Sequence, residues 1–380
     1  MRRFIWISLA LPIVLLVLWW LVRTWNDFTV LPESWPQPPL AFESQSESLT
    51  AADGSQIPTV QLKPLHQVGL PAGTVVLIAE QGRDMNWQSR GLSFASGRRV
   101  AALLGQAGFS SWRYDQRGTG SNRASLKSAL DLQLLSNDLK QTVLAAARNQ
   151  AASLDLVAHG NLACALALHL AGQKTGRVVK RLVLIECLPE SSYLQMWFSD
   201  AQLQMLRRAI PLAEVDQAAL EWEQRMVLPG NTSKAFRRDP FTGKPAADKG
   251  KQSGPVEGLI GFLTQNPDFF KQAAELDTAA LLQTAVRSHQ VYWLLAEHSM
   301  TYKLWQHRQS KVGPGGCRNQ PLLIRGADHM LRAVQAPAAS LPGRFMLDAA
   351  PIMRLAPDFK SKLLAIMVSG QPEAMVHCGH

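Results

Sequence analysis

Hydrophobic and polar positions divide this chain into three unlike stretches. Phe4 to Val22 is a predominantly apolar run without a charge, close to the roughly 20 residues needed to cross a bilayer as a helix. Trp6, Trp19 and Trp20 lie near its ends, where interfacial aromatics sit. Asp27 to Pro39 then carries Pro32, Pro36, Pro38 and Pro39, a composition that is extended and semi-rigid. Beyond it, short apolar runs alternate with longer segments of helical periodicity, the pattern of a mostly parallel sheet flanked by helices.

The alternation predicts individual elements. Leu40–Leu49 and Pro58–Leu62 flank Asp53-Gly54, a hairpin signal. Buried strands are predicted over Thr74–Ala79, Phe109–Tyr114, Leu154–Val157, Leu182–Ile185, Val291–Leu295 and Pro321–Ile324. Helices are predicted over Ser96–Ala107, Leu134–Ala147 and Pro357–Val368, from apolar residues at helical spacing. From Ser191 to about Thr284 the pattern turns helical and loop-rich. An insertion so late in the strand order lies over the C-terminal edge of the sheet, where a cap covers a ligand site. The expected organisation is an anchor over 1–25, a spacer over 26–39, and a core over 40–190 and 285–369. A helical cap over 191–284 interrupts the core, and a tail over 370–380 follows it.

Charge places the ends. Arg2 and Arg3 precede the apolar run and Arg23 follows it, with no small-x-small cleavage site behind. The segment therefore reads as an uncleaved anchor, with the N-terminus cytoplasmic and the globular part periplasmic in a bacterial inner membrane. Of the net charge of +10, a part lies in 234–251, where Lys234, Arg237, Arg238, Lys244, Lys249 and Lys251 stand among Pro, Gly, Ser and Asp. That stretch reads as a solvated loop, or as a contact for anionic lipid next to the membrane. No nucleic-acid motif accompanies it. Four cysteines are too scattered for a zinc pattern, and no cofactor motif is present. Cys164 and Cys187 are expected as packed thiols, while Cys317 and Cys378 are free to pair in an oxidising compartment.

The order of motifs from about Thr74 to Val368 resembles a bacterial alpha/beta hydrolase family of serine esterases and peptidase-like enzymes with a G-S-G-P-Q-D-R-D-type segment. Gly108 to Gly120 is similar to that family's fourth strand and loop, within which Asp115 and Arg117 are expected to brace the turn as a pair. The resemblance implies an eight-strand-type sheet with a triad on its C-terminal edge. Leu156-Val157-Ala158-His159-Gly160-Asn161-Leu162-Ala163 stands at the nucleophile elbow, so Gly160 occupies the serine position. Leu162, in place of a small residue, is expected to relax the turn. Arg325-Gly326-Ala327-Asp328-His329-Met330-Leu331 resembles the histidine loop, making His329 the retained base; His380, in the tail, is the lesser candidate. Ala296-Glu297-His298-Ser299 then puts Ser299 at the acid position, with Glu186 and Asp328 as alternative acids. Gly82, Arg83 and Asn161 fall in the oxyanion-hole region, beside Glu80, whose carboxylate would oppose an oxyanion.

With the nucleophile replaced by glycine, three readings remain. The first is a non-catalytic, membrane-anchored domain that binds a small molecule or protein under its cap. The second is a hydrolase of ester or amide bonds with unorthodox catalytic residues. The third is a structural component of an envelope assembly.

Overall fold

The computed structural model describes residues 42–65, 73–88, 95–122, 124, 126–148, 154–189, 192–207, 210–226, 255–309, 320–333 and 355–370. The expected anchor and spacer, the basic stretch 234–251, Cys317, Cys378 and His380 lie outside these residues. Among the described residues no helix is long and apolar enough to cross a membrane.

The chain begins with a hairpin of β1 (Phe42–Thr50) and β2 (Gln56–Pro64). Gly54 takes φ 82° in its turn, a conformation glycine adopts without steric cost. Five further strands and a short one follow: β3 (Thr74–Ile78), β4 (Ser110–Tyr114), β5 (Leu154–His159), β6 (Val179–Ile185), β7 (Gln290–Ala296) and β8 (Leu322–Ile324). They form one sheet in the order β1-β2-β4-β3-β5-β6-β7-β8. β2 is antiparallel to both of its neighbours, and every pairing from β4 to β8 is parallel. The central strands read as continuous apolar runs because both faces of the sheet are covered.

Alternation along each strand splits the core in two. Val76, Ile78, Leu154, Leu156 and Ala158 face one layer, formed with α3 (Leu132–Arg148) and α4 (Asn161–Ala171). Val75, Leu77 and Val157 face the other, covered by α1 (Ser96–Gln106) and α11 (Pro357–Ser369). A single-turn α2 (Leu126–Ala129) precedes α3. Between β6 and β7 lie α5 (Tyr193–Arg207), α6 (Leu212–Met226), α7 (Pro255–Gln265), α8 (Pro267–Glu275) and α9 (Thr278–Ser288). Their apolar faces meet in an aromatic cluster: Trp222 stacks on Phe198 at 4.3 Å and Trp197 on Phe262 at 5.5 Å. α10 (Met300–Gln309) joins β7 to β8.

The segment after β4 is braced from two directions. Asp115 accepts from Met85 N and Ser121 N, both at 2.7 Å. Arg117 pairs with Asp138 on α3 and with Asp53 in the β1–β2 turn, two nitrogens to each carboxylate. The expected Asp115–Arg117 pair is not formed: each group reaches a different element, and the loop is held by both.

Candidate active site

All the residues of interest lie at the C-terminal ends of the parallel strands. β5 runs to His159, α4 starts at Asn161, and Gly160 makes the turn between them at φ 86°, ψ 167°. Its N–H donates to the Ile185 carbonyl at 2.9 Å. The turn keeps its left-handed φ although Leu162 is large, because Leu162 is buried in the core instead of crowding the turn. A Cβ built on Gly160 would lie 2.5 Å from Glu80 Cγ and 2.8 Å from Glu80 Cβ. The space of a nucleophile's side chain is thus filled by Glu80, at the end of β3.

His329 stands on the loop after β8, between two carboxylates. Its Nδ1 is 2.9 Å from Glu186 Oε2, and its Nε2 is 3.1 Å from each oxygen of Glu80. A ring that faces carboxylate oxygens on both nitrogens donates from both, which is the imidazolium form. Glu186 follows β6 directly; its other oxygen accepts from Ala296 N at 2.5 Å.

The acid beside the histidine is therefore Glu186, and Ser299 is elsewhere. Ser299 is buried at the start of α10, where its hydroxyl accepts from Tyr302 N at 3.0 Å. Asp328 is turned away from the ring: it accepts from Met330 N and Arg332 N and pairs with the Arg332 guanidinium. Glu297 accepts from Gly326 N at 2.8 Å. Both carboxylates shape the loop that carries His329.

Electrostatics bind this cluster together. Burial alone would raise the Glu80 carboxyl, but His329 and Arg83 outweigh it and hold the group well below its ordinary range. Arg83 Nε meets Glu80 Oε2 at 2.5 Å. His159 was not among the candidates. Burial, and then the charge of His329, push its pKa down to about 3, so the ring is neutral. Its Nε2–H donates to the His329 carbonyl at 2.9 Å, and its ring stacks on Trp87 at 4.9 Å. Trp87, Glu186 and Leu331 all have positive φ, at 61°, 55° and 63°. Strained backbone at non-glycine positions persists only where its surroundings over-determine it; among the described residues, Glu186 contacts His329, Leu331 lies two positions after it, and Trp87 stacks on His159 beside it.

The oxyanion-hole region is engaged as well. The Asn161 side chain donates to the Met196 carbonyl at 3.0 Å and to Asp200 Oδ1 at 2.7 Å, and accepts from Leu188 N at 2.9 Å. It thus ties the turn to α5. Gly82 has φ 76° with nothing within 4 Å of an added Cβ. Arg83 is spent on Glu80. One turn into α4, Cys164 forms a disulfide with Cys187. This corrects the expectation of two packed thiols: consecutive elements of the sheet edge bring the cysteines to 6.5 Å between Cα atoms. Among the described residues no group of three or more His, Cys, Asp or Glu side chains is arranged to hold a metal ion.

A family model described as "Alpha/beta hydrolase family" matches residues 85–357, well over half of the chain. The chain belongs to the alpha/beta hydrolase family. No curated protein matches it in sequence. Among solved structures, this alpha/beta hydrolase is similar to a hypothetical protein of Pseudomonas aeruginosa, at 12% identity and a TM-score of 0.44, covering 83% of this chain and 96% of that one. It is also similar to an esterase of Pyrococcus furiosus, at 13% identity and a TM-score of 0.40, covering 90% and 96%. A mutant potato epoxide hydrolase follows at 15% identity and a TM-score of 0.42, covering 76% and 94%.

Proposed function

We propose that this alpha/beta hydrolase is non-catalytic and serves as a ligand- or protein-binding domain, anchored in the bacterial inner membrane through residues 4–22 with its globular part in the periplasm. One observation carries the loss of catalysis: Glu80 fills the space beside Gly160, and its two oxygens share the single N–H of His329 Nε2. No side chain at Gly160 can attack a carbonyl. The imidazole edge that would activate a nucleophile or water is already committed to a carboxylate. Glu80 also puts negative charge where an oxyanion would develop, which opposes the transition state. The periplasmic reading is supported by the uncharged N-terminal run and by the buried Cys164–Cys187 disulfide, since such bonds persist in oxidising compartments.

A fluorophosphonate probe and a panel of p-nitrophenyl esters test this reading. The purified protein is expected to take up no label and to show no turnover above a His329→Ala control. A second reading, an unorthodox hydrolase, is favoured by the Glu186–His329 pair, which is oriented as an acid and base should be. Turnover abolished by His329→Ala would establish it.

A further inference from the structure

Glu80 neutralises a site that would otherwise be cationic. Arg83 and His329 contribute two positive charges, and Glu80 and Glu186 two negative ones. His329 does not depend on Glu80 for its placement. His329 is oriented by Glu186 at Nδ1 and by His159 at its carbonyl. Arg83 Nη1 reaches the Trp87 carbonyl at 3.5 Å. If the Glu80 side chain swings away and His329 keeps both ring protons, Arg83, His329 and Glu186 remain with a net charge of one positive unit. Leaving partly buried charge uncompensated is costly, so that state calls for one external anion. The site is not sealed: the Glu80, Arg83 and His329 side chains are 16%, 16% and 14% exposed. Both Glu80 oxygens lie at equal distance from Nε2, the footprint of a planar two-oxygen acceptor with a single charge.

We propose that this is a binding site for a small monocarboxylate, occupied in the free protein by the chain's own Glu80, which the incoming carboxylate displaces from His329 and Arg83. The proposal rests on the non-catalytic reading above and names the ligand class that reading leaves open. Glu80 lies on a two-carbon stem beside the side-chain-free Gly160, so its departure needs rotation about side-chain bonds and no movement of the sheet. A phosphate dianion would overfill a site with one net positive charge. Chloride lacks the second oxygen.

The test titrates sodium acetate into the wild type, Glu80→Ala and Glu80→Gln. The readout is the His329 imidazole NMR signal, assigned by its loss in His329→Gln. Removing the internal competitor should lower the acetate concentration at half-saturation by about tenfold or more, since apparent affinity scales with the fraction of open sites. Acetate should also raise the melting temperature of Glu80→Ala, with phosphate and chloride giving no saturable change. Adding Arg83→Gln to Glu80→Ala should weaken acetate again. The proposal is overturned if both Glu80 variants melt cooperatively yet respond to acetate no better than the wild type. If neither variant folds, the wild type decides: a saturable shift with concentrated acetate and none with chloride supports it, and no shift overturns it. Fluorophosphonate labelling would instead sink the non-catalytic reading, and the acetate titration does not depend on that result.

Discussion

Gly160 and Glu80 behave as one exchange spread over two strands. The glycine leaves open the space that the glutamate stem fills, so a side chain at 160 calls for a smaller one at 80. Gly160→Ser forces a side chain onto Glu80 at positive φ, and should cost about 1–3 kcal/mol in urea unfolding, as overpacking does. Glu80→Gly in the same chain should recover most of that loss. Because Glu186 already orients His329, the double variant should take up fluorophosphonate while Gly160→Ser alone does not. Labelling of the single variant to the same extent would contradict the exchange. The sequence made Gly160 and His329 legible because each sits in a local string with a recognisable form. It put Ser299 at the acid position and held Glu186 only as an alternative, because Glu186 reaches His329 through the parallel register that sets Ile185 beside Leu294. Glu80 was read as a neighbour of the oxyanion region; its bond to His329 spans 249 positions, beyond any spacing argument.

At the level of elements, the end of β5 and its links to β6 carry the next two predictions. His159 is neutral in the folded state, with a pKa of about 3, against an ordinary value of about 6.5. The unfolded chain therefore binds a proton that the folded one refuses, and stability falls as pH drops below about 6.5, continuing toward the folded value. Between pH 6 and 5, the wild type should lose about 1.4 kcal/mol per pH unit more than His159→Gln. Parallel urea titrations at several pH values measure the difference, and equal slopes would refute it. The Cys164–Cys187 bond ties α4 to the residue after Glu186, with 23 positions between its ends. Cys187→Ala should lower stability by about 3 kcal/mol, in line with closure of a loop of that length. An unchanged urea midpoint would show that the bond does no stabilising work. Sequence alone could not pair these cysteines, since their proximity is made by β5 and β6 lying side by side.

For the whole molecule, the testable claim is topology. Protease added to intact spheroplasts should remove the globular part; protection until lysis would put that part in the cytoplasm. The sheet was largely legible: each strand expected from Thr74 onward appears within a few residues, because runs buried on both faces advertise themselves. Among the described residues of the expected cap segment the chain is largely helical, with α5 starting at Tyr193 and α9 ending at Ser288. What pattern could not supply was how distant elements are clamped, and the Arg117 fork is the example with the widest consequence. Among the described residues β1 is an edge strand paired with β2 alone, and Phe42 lies opposite Pro64 at its open end. A tension applied through the N-terminal segment would therefore load that hairpin first, peeling its rungs in sequence from Phe42 toward the turn. At the turn the pull meets Asp53, held by Arg117 to Asp138 on α3. If the N-terminal run is anchored as proposed, the hairpin acts as a mechanical fuse: it yields before β3 and β5 feel the load, and the charges around His329 stay in register.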